Sequence, residues 1–272
     1  MQRFLQQIGI LVVFLGALVG CSGIQASGQR LQLERDVLPE ETDALISVAE
    51  GYWSQARDIK ATAKGAAALE KALVNGSNFE VQWRLSRGYA TIGEQIKKRG
   101  LKRKFLKRAV QFAEQALEAE PERPEGYACL AVARGLFATT MIAPGKAYQE
   151  TIEEPAEHLA DHFPDYESGL GFRILGGLYT KAPPWPAGVG DLEGAIELLE
   201  EANTDYPNVS LNAFFLAEAY LKDGQRKAAE GLLRAVLAAP KQGEWALIGA
   251  RYRMLARQHL ADLSTRGGAN DH

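Results

Sequence analysis

The chain has 272 residues, of which 46% are hydrophobic and 24% charged, and its net charge is −3. This is the composition of one large globular domain or one repeat array, and the near-neutral balance points to neither nucleic acid nor a strongly acidic function. With two cysteines, Cys21 and Cys129, an extensive disulfide framework is excluded, so stability must come from packing.

The first twenty residues stand apart from the rest. A short polar segment with one cation, Arg3, precedes an unbroken apolar run over 8–19, which closes in Leu18, Val19, Gly20 and Cys21. The run is short for a bilayer span, which takes roughly 20 residues, but it suits the apolar region of a signal peptide. Leu at −3, Gly at −1 and then Cys resemble the bacterial lipobox. That resemblance implies cleavage before Cys21, acylation of its sulfur and new amine, and anchoring in an envelope membrane. Ser22 after the Cys implies the outer membrane, facing the periplasm. The alternative is a plain secretory signal with an incidental Cys. Residues 21–36 read as a flexible tether, 37–263 as the folded domain and 264–272 as a disordered, Gly-rich tail.

From 37 onward Ala, Leu, Glu, Lys and Arg dominate, and apolar residues recur at three and four. The pattern predicts an all-α domain. Small or apolar residues recur with one set of offsets and a terminating Pro: Ala109, Ala113, Ala116 and Pro121; Ile152, Ala156, Leu159 and Pro164; Ala195, Leu199, Ala202 and Pro207. Gly65, Leu69 and Ala72 make an earlier copy, and Ala229, Leu233 and Val236 a later one. Trp245, Ile248, Gly249 and Tyr252 stand at the spacing W-x2-L-G-x2-Y, with Ile for Leu. These residues resemble the tetratricopeptide repeat, in which the second helix of each hairpin needs small side chains to pack between neighbours. The resemblance implies an α-solenoid of about five TPR-like hairpins with a C-terminal capping helix. It matches unevenly: Arg134 stands where a Tyr is expected, and the register slips near Trp83 and Phe172. Insertions are expected at 94–104, 143–151 and 183–189. Residues 126–142 are apolar, but too short for a span and interrupted by Arg134.

Three stretches carry candidate chemistry. Lys97, Lys98, Arg99, Lys102, Arg103, Lys104, Lys107 and Arg108 place eight cations within twelve residues. They suit anionic headgroups or simply a solvated helix face. Pro183, Pro184 and Pro186 stiffen a loop around Trp185, which is either presented to a partner or folded back over a gap. Asp191 reads as the N-cap of the next helix. His158 and His162 share a helix face with Glu154, Glu157 and Asp161, but no HExxH accompanies them, so surface histidines are the expected reading and no metal is assigned. Cys129 lies in an apolar stretch and reads as core. No Walker loop, dinucleotide fingerprint or nucleophile elbow is present, so no catalytic residue, enzyme activity or cofactor is expected.

The repeat resemblance implies that first helices line a concave face. Ala128, Val132, Leu211, Phe214, Glu218, Ala246, Ala250 and Arg253 would form it, a groove for a protein or peptide partner or an apolar small molecule, unless the inserted loops fill it. The expected function is a membrane-anchored, non-enzymatic interaction module of the bacterial cell envelope, with no nucleic-acid partner. The alternative is an accessory lipoprotein similar to the T component of TRAP-type solute transporters, which would pair with a periplasmic solute-binding protein or an apolar ligand.

Overall fold

Small side chains at fixed spacing let helices approach closely, and here they set the architecture. The computed structural model describes residues 38–54, 59–76, 78–240 and 245–267. The chain divides into the units Met1–Glu40 and Glu41–His272. The lipidation residue Cys21, the signal region and the tether lie outside the described residues.

The described residues of the larger unit are mostly helical. In chain order its helices are α1 (Thr42–Ser54), α2 (Ile59–Ala72), α3 (Phe79–Gln95), α4 (Arg99–Ala119), α5 (Pro124–Ala138) and α6 (Lys146–His162). They continue with α7 (Leu170–Lys181), α8 (Leu192–Asp205), α9 (Ser210–Asp223), α10 (Arg226–Ala238) and α11 (Trp245–Gly267). Among the described residues the only β pairing is an isolated bridge between Pro184 and Gly190. The fold is an all-α solenoid in which each helix packs on its chain neighbours and, from α3 onward, the first helices of successive hairpins also meet.

The recurring small residues lie where that stacking needs them. Ala109, Ala113, Ala116, Ala156, Ala195 and Ala202 are each fully buried, as are Leu69, Leu159, Leu199 and Leu233. They form the inner stripe of α2, α4, α6, α8 and α10. The facing helices answer with glycine. A Cβ on Gly171 would stand 2.6 Å from the backbone N of Ala160, and one on Gly176 2.4 Å from Leu199 Cγ. Neither site can hold a larger side chain without moving α7 off its partner.

Helix ends follow local chemistry. Asn78 caps α3 by accepting from Val81 N at 2.9 Å, and Asp191 caps α8 by accepting from Gly194 N at 3.1 Å. Of the expected insertion at 94–104, only 96–98 lies outside a helix, because α3 and α4 are both extended. The insertion expected at 143–151 instead occupies 139–145, because α6 already starts at Lys146, and that expected at 183–189 falls within the connection 182–191. The last helix continues to Gly267 rather than stopping at Leu263, with the Ser264 and Thr265 hydroxyls donating to the carbonyls of Ala261 and Asp262.

Candidate binding pocket

The first helices of the hairpins turn one face inward. Trp83, Arg87, Ala90 and Glu94 of α3 recur at three and four, as do Ala128, Val132 and Leu136 of α5. Arg173, Ile174, Gly177 and Lys181 of α7, Leu211, Phe215 and Glu218 of α9, and Arg251, Tyr252 and Leu255 of α11 complete the wall. Together they enclose a cavity of about 680 Å³. That volume lies within the range of ligand-sized sites, and the lining is mainly apolar with charges spaced around it.

The groove is bridged at its mouth. Arg251 of α11 donates to Glu94 of α3 at 2.6 Å, so the last helix reaches back to the third. The Tyr252 hydroxyl stands 3.5 Å from the same carboxylate. Arg87 reaches Glu167 at 3.5 Å, and Lys181 pairs with Glu218 at 2.9 Å. Lys102 approaches the Glu94–Arg251 pair from α4; burial lowers its pKa first and Arg251 next, while Glu94 opposes them.

A buried polar network shapes the floor. Arg173 donates to Asn212 Oδ1 at 2.6 Å, and Asn212 Nδ2 donates to the carbonyls of Ala202 at 2.9 Å and Ser168 at 3.2 Å. Asn212 is fully buried, so its amide must be satisfied from within. The network holds a turn in which Glu167 and Ser168 take positive φ, 43° and 55°. This left-handed backbone is costly for residues with a Cβ and persists where surrounding contacts impose it.

Of the expected groove residues, Ala128, Val132, Leu211, Phe214 and Glu218 line the cavity. Arg253 is buried away from it, Ala250 is exposed to solvent, and the Ala246 side chain lies outside the described residues. Spacing alone missed the contribution of α3 and α7. Cys129 is on the cavity wall, its thiol donating to Trp83 O at 3.3 Å, and burial pushes its pKa up to about 12.

The cationic stretch divides by helix face. Lys97, Lys98, Arg99, Arg103, Lys104 and Lys107 are exposed, with Arg103 lying over the Phe137 ring at 5.0 Å. Arg108 is half-buried, paired with Glu70 at 3.0 Å and stacked over Tyr89 at 4.7 Å. Trp185 projects outward, 77% exposed, from a loop with a cis Trp185–Pro186 peptide. His158 stacks on Tyr127 at 3.8 Å and on His162 at 4.3 Å. Burial first, and His162 second, lower the pKa of His158. No group of three or more metal-binding side chains occurs among the described residues, and no helix among them is long and apolar enough to cross a membrane.

Residues 188–252 match the family model for the tetratricopeptide repeat. A solved structure, a thermophilic TPR protein from Thermus thermophilus, superposes with a TM-score of 0.61 at 16% identity, over 81% of this chain and 99% of that one. The chain shares the fold of that structure, an α-solenoid of TPR-like hairpins. The matched repeat runs from the end of the Trp185 loop into α11, and so includes α9 and its cavity wall. No curated protein matches the chain.

Proposed function

We propose that the chain is a non-enzymatic binding protein that receives an apolar segment of a partner protein in the cavity lined by its first helices. The observation that carries this reading is the cavity itself: one apolar space facing five helices, with paired charges at its mouth. A protruding apolar segment would bury its side chains against Val132, Ile174, Leu211 and Phe215, while the rim charges orient its polar backbone. Binding rather than catalysis is favoured by the state of the polar groups. The thiol of Cys129 is held neutral, and Lys181 and Glu218 neutralise each other.

The same reading places the protein at a bacterial cell envelope, anchored through acylated Cys21 in the outer membrane and facing the periplasm. It rests on the apolar run and the lipobox-like ending of the N-terminus. Labelled palmitate should enter the full chain and fail to enter a Cys21→Ser variant; equal labelling of both would remove the anchor. The transport-accessory alternative draws no support from the repeat match or the similar structure and is not retained.

The cavity is tested by photocrosslinking in cells from Leu211 or Phe215, with Arg234 on the outer face as control. Capture should occur from the cavity positions and be lost when Val132→Trp fills the space, with the helical signal retained. Capture that survives the filled cavity, or that matches the control, would overturn the proposal.

A further inference from the structure

The connections between the paired helices, 96–98, 139–145, 182–191 and 224–225, emerge on one edge of the solenoid. Hydrogen bonds run along it. Arg99 Nε donates to Thr140 O at 2.8 Å. Gln149, fully enclosed, donates to Pro144 O at 2.7 Å and accepts from Val189 N at 3.1 Å. Lys222 reaches the carbonyl of Thr180. This edge carries the two most exposed large apolar side chains among the described residues, Ile142 at 94% and Trp185 at 77%. The connection 96–98 adds exposed Lys97 and Lys98, and exposed Lys104 follows in the second turn of α4.

Much of the charge is placed against local preference. Helices α4, α6 and α10 start on this edge with Arg99, Lys146 and Arg226 and no acidic residue in the first turn, whereas α8 starts there with Asp191 and Glu193. A helix N-terminus favours anions, so cations there cost stability. A local rule broken repeatedly on one edge is a mark of function. The opposite edge is acidic, with Glu118, Glu120, Glu122, Asp161, Asp165 and Asp205 all exposed.

We propose that this edge docks on an anionic lipid bilayer, with Trp185 and Ile142 entering the headgroup boundary and the lysines lying on the phosphates. The bilayer is favoured over a protein partner by charge complementarity. Cations attract an anionic surface, an amphipathic indole suits the interface, and the acidic edge orients the body by repulsion. The docking is independent of what the cavity holds. It would set the mouth of the cavity at a fixed height above the lipid.

The test uses the full chain on vesicles of phosphatidylcholine alone and of phosphatidylcholine with phosphatidylglycerol, carrying brominated acyl chains that quench buried indoles. Flotation separately reports association through the N-terminal anchor. Quenching should exceed that of a Trp185→Phe variant on the anionic vesicles only. It should fall to the neutral-vesicle level in Lys97→Glu/Lys98→Glu/Lys104→Glu, and fall in Ile142→Asp, with helical content and flotation unchanged. Equal quenching in Trp185→Phe, quenching indifferent to lipid charge or charge reversal, or a floating chain whose Trp185 is unquenched would each overturn the proposal.

Discussion

Single side chains decide how tightly this array stacks. Gly171 faces the backbone of Ala160, which cannot move aside, so Gly171→Ala should destabilise the chain by about 1–3 kcal/mol. Gly231 in α10 faces open space, so Gly231→Ala should stabilise it by about 0.5–1 kcal/mol through helix propensity alone. Urea denaturation of both variants separates crowding from propensity. Cys129 gives a second prediction at this scale. Its folded pKa of about 12 lies above the ordinary 9.0, so the native chain keeps a proton that the unfolded chain releases. Stability should therefore fall as pH rises from 9 towards 12, and less so in Cys129→Ala. The thiol should also resist alkylation at neutral pH although it faces a cavity, as mass spectrometry of maleimide-treated protein would show.

At the scale of elements, Gln149 ties α6 to the Trp185 loop. Its amide oxygen and nitrogen serve backbone groups of two different connections, and Gln149→Leu strands both. The cost should be about 1–3 kcal/mol, with faster hydrogen exchange confined to 139–145 and 182–191. Much of the element plan was legible in the chain because the second helices obey a strict rule. Ala195, Leu199 and Ala202 are wedged between neighbours, and only small or compact residues fit. The first helices are freer. Their outer face meets the paired helix and their inner face a cavity, so α3 and α7 tolerate Arg87, Glu94 and Arg173 on the inner face. That is why the reading from spacing found Val132, Leu211 and Glu218 but missed Arg87, Glu94 and Arg173. The pattern Trp83, Arg87, Ala90 and Glu94 at three and four was the signal available. The outward placement of Trp185 depends on Gln149, a residue 36 positions earlier with no motif to mark it.

At the scale of the whole array, coverage of the cavity depends on contacts far apart in sequence. Glu94 and Arg251 are separated by 157 residues, yet they meet at 2.6 Å. The pair is partly exposed, so Arg251→Ala should cost no more than about 1 kcal/mol in global stability. Its larger effect should appear as faster amide exchange in α11 and quicker release of whatever the cavity holds. Unchanged exchange in α11 would show that the helix is held by its packing on α9 and α10.

That long-range meeting also bears on how such a chain can evolve. An open stack of hairpins can gain or lose a unit, since each new pair needs only its neighbours. Here the end of the line must return to its third helix, so duplicating one hairpin would leave every local junction sound while carrying Arg251 away from Glu94. A change in the number of hairpins would thus forfeit the cover over the cavity rather than the soundness of any junction.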